Sequence, residues 1–422
     1  MIYLKKAPGN SKYVKKLNRM AVINLIKNHE PISRQQLAEI TGLTPPAISG
    51  IIRELLEAGI VKEVGLDKST GGRRPIKLSF NPDAGYVFGV EVTRFETFVG
   101  TCDLKNNPTD FRTIKIDMSE PKKGLKKLAA VVKEIMNEEQ YKEKPFLGVG
   151  VAFPGLLYAF EGKVKRSINL GTSWDFFPVK QVLEKEIDMP VFIENNSKAS
   201  ALAERWFGGA TECRDLVYVN LGEGISAGVI INDRILQGAQ GHAGEIGHMS
   251  IQKDGPLCNC GNRGCLESVC GIPAIMRKVK NEISIIPDND PLKKLWAEKG
   301  EISIEDIISS SRIKNSYSHN LLKQVAEYIG KAIANVINFY NPECVFIGGK
   351  MAPAAKYFID IIKTAVNTHA FPEIARSTDI QISSLQEKAG VMGACALVLR
   401  DLFKPDSDIL EDVQQALNYE EA

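Results

Sequence analysis

The sequence predicts a two-lobed α/β body preceded by a small winged helix-turn-helix head, all-α but for its wing. Three observations carry this expectation. Charge is split: residues 1–80 hold 14 Lys and Arg against 6 Asp and Glu, and the remainder holds 39 against 45. Near the start, two short amphipathic helices meet at a glycine turn. Further on, a pattern of three strands, a helix and a buried strand begins twice. At 422 residues the length suits two or three domains with ample core. The composition is that of a soluble globular protein, and no apolar run reaches the length of a membrane span. Residues 1–10 lack the apolar core of a signal peptide, so the cytoplasm is the expected compartment.

Residues 18–28 read as a helix with Ala21, Val22, Leu25 and Ile26 on one face. Pro31 ends it. Ser33 is placed to cap the next helix, 34–41, with Gln36 at the third position of a capping box. Gly42 turns the chain. Thr44 then caps a second helix with Pro45 at its first position. Ile48, Ile51, Ile52, Leu55 and Leu56 form its core side. In a helix-turn-helix the second helix enters the major groove, N-terminal residues facing the bases. Those residues are Thr44, Pro46, Ala47, Ser49 and Gly50, with Arg53 within reach of phosphate. Arg34 and Gln35, opening the first helix, join the expected DNA interface. Residues 60–64 and 76–80 read as two strands of a wing, and Arg73 and Arg74 at its tip suit a narrow minor groove. A basic head points to a polyanion partner. The competing reading is a three-helix module that docks protein. Asn81-Pro82 marks the boundary between a head of residues 1–81 and a body of residues 82–422. Segment 12–19 is amphipathic and suits packing on either.

In the body, residues 86–92, 96–103 and 110–116 read as a meander, 125–137 as a helix, and 146–152 as a buried strand ending in Phe153-Pro154-Gly155. Residues 191–194 form a short strand that delivers Asn195 and Asn196, and 197–207 form a helix. Runs 216–221, 227–231 and 234–237 restart the pattern, with a helix over 324–339, a strand over 344–348 and a last helix over 389–403. Cys102, Cys213, Cys344 and Cys395 stand singly in apolar surroundings, as reduced core thiols do.

The segment over residues 244–268, GEIGHMSIQKDGPLCNCGNRGCLES, places His248 ten residues before Cys258, Cys260 and Cys265. Three thiolates and one imidazole make a closed tetrahedral zinc site, and the interspersed glycines let a short loop fold around an ion. The alternative is three reduced thiols that lie close together. Cys270 falls outside the cluster. Glu245 and Glu267 flank the ligands, so a metal that orders the loop orders both carboxylates. Their plainer role is support of the metal ligands.

The body resembles the ROK family of repressors and sugar kinases, within the actin-like ATPase superfamily. The resemblance spans nearly all of residues 83–400 and is most specific over LGEGISAGVIINDRILQGAQGHAGEIGHM and CNCGNRGCLE. Head and body together resemble the family's transcriptional repressors, such as xylose repressors. The resemblance implies His248, Cys258, Cys260 and Cys265 as zinc ligands. It implies Asn195, Asn196, Glu245, His248 and Glu267 as holders of sugar hydroxyls, and Gly155 and Asn169 as parts of the same pocket. Carboxylates and amides suit polyols because each hydroxyl both donates and accepts. Trp174 is expected to stack on a sugar face or to serve as an apolar lid. Implied partners are operator DNA, a sugar effector such as xylose, and further copies of the chain as a dimer or tetramer.

The kinase chemistry of the family is expected to be lost. Asn196 stands where the kinases carry a catalytic Asp, and an amide cannot accept the proton. Glu91-Val92-Thr93-Arg94-Phe95 lacks the glycines of the first phosphate loop. Gly222-Glu223-Gly224-Ile225-Ser226 puts a carboxylate in the second. Gly348-Gly349 survives. The expected function is therefore a non-catalytic, sugar-responsive repressor. The alternatives are a kinase with an appended head, or a regulator whose body senses a protein.

Overall fold

A computed structural model describes residues 11–66, 75–94, 96–167 and 170–418. They fall into two compact units, Met1–Glu194 with Ala394–Ala422, and Asn195–Gly393. The boundary at Asn81-Pro82 lies within the first unit.

The head opens with α1 (Ser11–His29), followed by β1 (Ile32–Ser33), α2 (Arg34–Thr41), α3 (Pro45–Glu57), β2 (Val61–Leu66) and β3 (Ile76–Phe80). The capping box on α2 forms in both directions, and Gly42 closes the helix in the left-handed region at φ 69°. Thr44 occupies the N-cap of α3 through its backbone alone. Met20, Val22, Ile23 and Ile26 of α1 are buried, as are Leu37 of α2 and Ile48, Ile51, Ile52 and Leu55 of α3. The wing is a three-stranded sheet in the order β1-β3-β2. Its tip, with Arg73 and Arg74, lies outside the described residues.

Segment 12–19 continues into α1, and its end reaches the body. Arg19 Nη1 donates to Asp408 Oδ1 at 2.9 Å. Both side chains are little exposed, at 11% and 12%. Asn24 donates to the carbonyl of Phe403 at 3.2 Å. Lys27 Nζ lies 3.8 Å from the centre of the Phe403 ring and donates to Asn106 at 3.2 Å. Phe80 meets Phe403 edge-on at 5.8 Å, and Lys105 pairs with Glu30.

The body of the first unit contains β4 (Tyr86–Val92), β5 (Thr97–Asp103), β6 (Pro108–Ile114), α4 (Pro121–Met136), β7 (Phe146–Phe153), β8 (Leu156–Tyr158), β9 (Lys163–Arg166), α5 (Val179–Ile187) and β10 (Val191–Asn195). Its main sheet runs β10-β7-β4-β5-β6. The core packs Phe88, Val90, Val149 and Val151 of the sheet against Leu125, Leu128 and Val132 of α4 and Leu183 of α5.

The second unit holds α6 (Asn196–Phe207), β11 (Leu216–Leu221), β12 (Ile225–Ile231), β13 (Arg234–Ile235), α7 (Leu266–Cys270), α8 (Ile272–Glu282), α9 (Pro291–Lys299), α10 (Ile304–Ser310), α11 (Tyr317–Tyr340), β14 (Cys344–Gly348), α12 (Ala352–Tyr357), α13 (Ile359–His369), α14 (Pro372–Ser377) and β15 (Asp379–Ile382). Its sheet runs β13-β12-β11-β14-β15. Antiparallel meander, parallel strand and outer strand thus recur in the same order as in the first unit. The apolar side of α11, including Val325, Ile329, Ile333 and Ile337, fills the core with Val345 and Ile347 of β14 and Ile362 of α13. α15 (Ala389–Leu402) leads the chain back to the first unit, where α16 (Ile409–Asn418) follows.

The cysteine expectation needs one correction. Cys213 and Cys344 are joined in a disulfide, with Cα atoms 6.8 Å apart. Cys213 precedes β11 and Cys344 opens β14, its parallel neighbour, so folding brings together two thiols 131 residues apart. Cys102, Cys270 and Cys395 are buried free thiols.

Candidate functional site

The second unit is organised around the first residues of β12. Ile225 N–H donates to Glu267 Oε2 at 3.0 Å. Ser226 Oγ meets Ser197 Oγ at 2.5 Å. Ala227 N–H donates to the carbonyl of Gly244 at 2.7 Å. A Cβ on Gly228 would lie 2.1 Å from the carbonyl oxygen of Ser197, so only glycine lets α6 approach the strand. One strand end therefore gathers the start of α6 with Asn195 and Asn196, the loop that delivers Glu245 and His248, and α7 with Glu267. Asn195 caps α6 by accepting from Ser197 N–H at 2.9 Å.

His248, Cys258, Cys260 and Cys265 converge, with ligand atoms all within 4.8 Å of one another. His248 Nδ1 lies 3.7 Å from Cys258 Sγ, and Cys260 Sγ lies 3.7 Å from Cys265 Sγ. A tetrahedral ion with metal–sulfur bonds of about 2.3 Å requires sulfur–sulfur edges of about 3.7 Å, so the donor set fits zinc. The backbone supports the geometry: Cys258 N–H donates to the Asn262 carbonyl at 2.8 Å, and Gly261 N–H to the Cys258 carbonyl at 2.9 Å. Burial pushes the Cys265 thiol up to about 12 and raises Cys258, while a backbone hydrogen bond from Asn262 lowers Cys260. A bound cation would displace these protons.

His248 turns its other nitrogen, Nε2, to within 4.0 Å of Glu245 Oε2. Glu245 is held above the ordinary carboxylate range, first by burial and then by Glu267, against the pull of His248 and Lys198. The half-buried Glu245 and Glu267 and the His248 imidazole thus act on one another, and Asn195 and Asn196 open the helix whose Ser197 meets Ser226 of the same strand end.

Other expected site residues fall elsewhere. Gly155 belongs to the first unit, at φ 111° between β7 and β8. Asn169 lies outside the described residues. Trp174 is corrected to a core residue: it is fully buried, its Nε1 donates to the Met118 carbonyl at 2.7 Å, and its ring packs 4.8 Å from Phe153. It has no free face for a sugar. In the head, Thr44, Pro46, Ala47, Ser49 and Arg53 are exposed and Gly50 is half-exposed. Gln35 is exposed and bonds Glu39 at 3.0 Å, while Arg34 pairs with Glu63 at 3.0 Å.

At the first phosphate loop Thr93 turns the chain onto Glu96, its N–H donating to the Glu96 carbonyl at 3.0 Å. At the second, Gly222 N–H donates to the Gly224 carbonyl at 3.1 Å. Packing accounts for Gly348, where a Cβ would lie 1.9 Å from the Tyr218 hydroxyl. Sequence reasoning passed over Ser197, Lys198 and Ser226. The one legible signal was Lys198, a charge set among the small residues of α6.

The head is a winged helix-turn-helix: residues 16–62 match the family model described as winged helix-turn-helix DNA-binding. Residues 93–401 match the ROK family model, and the chain belongs to the ROK family. It is 30% identical over 400 residues to the xylose repressor of Caldicellulosiruptor bescii, covering 93% of this chain and 98% of the relative. A crystal structure of a ROK family transcriptional regulator, a homologue of the E. coli MLC protein, superposes with a TM-score of 0.82 at 27% identity, covering 96% of this chain and all of the other. A ROK glucokinase from Streptomyces griseus, in complex with glucose and AMPPNP, shares the fold at a TM-score of 0.66 and 23% identity, over 74% of this chain and 98% of its own.

Proposed function

We infer that the protein is a sugar-responsive transcriptional repressor. Its head binds an inverted-repeat operator, and a monosaccharide held in part by Asn195, Asn196, Glu245, His248 and Glu267 releases it. The observation that carries this is the colinear match over 93% of the chain to a protein named xylose repressor. Xylose or a related monosaccharide is accordingly the first effector to test. The exposed start of α3 supports major-groove contact by Thr44, Pro46, Ala47 and Ser49, with Arg53 on phosphate. Arg34, Gln35, Arg73 and Arg74 complete the interface. One helix-turn-helix reads one half-site, so operator recognition calls for paired heads in a dimer or tetramer. Zinc at His248, Cys258, Cys260 and Cys265 would act as a closed structural staple, with no position left for chemistry. The same reading makes the chain non-catalytic, because Asn196 cannot serve as a base, the first phosphate loop lacks its glycines and the second carries Glu223.

The test is to titrate labelled operator with the protein in the presence of D-xylose, D-glucose or N-acetylglucosamine. Sugar should weaken operator binding, and operator should weaken sugar binding by the same factor. Sugar affinity that is identical with and without operator would refute the switch. Sugar-dependent ATP consumption at about 1 per second or faster would replace it with a kinase.

A further inference from the structure

Lys198 is the largest charged side chain fully enclosed in the second unit, at 2% exposure. It sits on the first turn of α6, two residues after Asn196. Burying an ammonium is costly unless its donors are satisfied. Apolar filling of this face is already supplied by Ala199, Ala201, Leu202 and Ala203, so packing alone does not call for a lysine. Its Nζ donates to Gln237 Oε1 at 2.9 Å and to the Gly241 carbonyl at 2.7 Å. Both acceptors lie on the loop that leads from β13 to Glu245. That loop is exposed over residues 238–240. It turns through Gly238 and Gly241 at positive φ, and its own backbone bonds include Ala243 N–H to the Gln237 carbonyl at 3.0 Å.

We propose that Lys198 is a positioning residue of the effector site: its buried ammonium clamps the Gln237–Gly241 loop onto the first turn of α6, and so holds Glu245 against Asn195 and Asn196. This rests on the reading of those residues as sugar contacts. The two segments come from opposite sides of β11 and β12 in the chain. The clamp ties them together at the turn next to the amide pair, four residues before the carboxylate. A sugar that uses both segments then meets a preorganised pair of walls rather than ordering one of them on binding.

The test compares the full-length protein with Lys198→Met, which keeps length and burial but removes the donors. Amide hydrogen exchange over residues 237–243 should rise roughly 10-fold or more, as expected for the loss of hydrogen bonds to a charged group. Exchange in β11 and β14 should stay as it was. D-Xylose affinity by calorimetry should fall by a similar factor, while zinc content and operator affinity are unchanged. Gln237→Leu removes one acceptor without disturbing α6. It should give a smaller effect in the same direction, less than additive with Lys198→Met. Unchanged exchange over 237–243 in Lys198→Met would overturn the clamp, and unchanged sugar affinity would overturn its positioning role. If Lys198→Met does not fold, Gln237→Leu decides by the same two measurements. Failure of the unmodified protein to bind any sugar would sink the effector reading instead, and exchange would still decide the clamp.

Discussion

Gly244→Ala should be among the most damaging single-methyl additions in the second unit. Gly244 has φ 103°, and a Cβ there would lie 1.9 Å from the carbonyl oxygen of Ala227. The backbone conformation alone costs an alanine about 1–3 kcal/mol. The contact is with backbone in the middle of a paired strand, which cannot step aside as a flexible side chain would. Overpacking of that kind adds about 1–3 kcal/mol, for a total of about 2–6 kcal/mol. Gly300→Ala is the control. It caps α9 at φ 76° with nothing within 4 Å of the added methyl, so it bears only the conformational cost, about 1–2 kcal/mol. Urea unfolding of both variants, followed by far-ultraviolet circular dichroism, reads the difference. Gly244 also accepts from Ala227 N–H and precedes Glu245, so Gly244→Ala should lose sugar response as well as stability. Equal destabilisation by the two substitutions would refute the close contact as the reason for glycine at 244.

Three further outcomes are expected. Metal analysis should give about one zinc per chain, as a closed tetrahedral site holds, and Cys260→Ser should lose metal and sugar response together; a sugar-responsive protein without metal would refute the site. Arg53→Ala should weaken operator binding across sequences and reduce the salt dependence by about one ion, which salt titration by fluorescence anisotropy checks. Lys27 is pulled down to about 8, first by burial, against Asp103. The unfolded chain therefore holds more protons between about pH 8 and the ordinary lysine value of 10.5, so stability should rise with pH across that window. Lys27→Met should abolish that rise in denaturation curves measured from pH 7 to 10.

The His–Cys cluster was legible because its chemistry is local: one histidine and three cysteines crowd within residues 248–265, and few other uses explain them. The two sheets were legible because each begins with long apolar strands. β15 was missed, being four residues long with Asp379 and Gln381 exposed. Trp174 illustrates a different limit. An aromatic residue after a glycine-containing loop reads the same on a lid or in a core, and the deciding partner is the Met118 carbonyl 56 residues away. Cys213 and Cys344 looked solitary for the same reason. Lys198 showed its helix from sequence but not its acceptors, which lie on a loop whose path is set by β12 and β13. Residues whose role depends on a distant backbone oxygen carry no mark of it in their own neighbourhood.

The seating of the head on the body has a consequence for synthesis. Arg19 and Asp408 are separated by 389 residues, and Phe403, which receives Asn24 and Lys27, is nearly as distant. At about 5–20 residues per second a ribosome needs roughly 20–80 s between making the arginine and making its carboxylate. Throughout that interval the head can meet Lys105 and Asn106, but the part of its seat made by Phe403 and Asp408 is missing. Fragments released before residue 408 would carry a DNA-binding surface without the ion pair that anchors it to the sensing body. Such fragments would have a head able to reach an operator and only part of the seat that joins it to the sensing body.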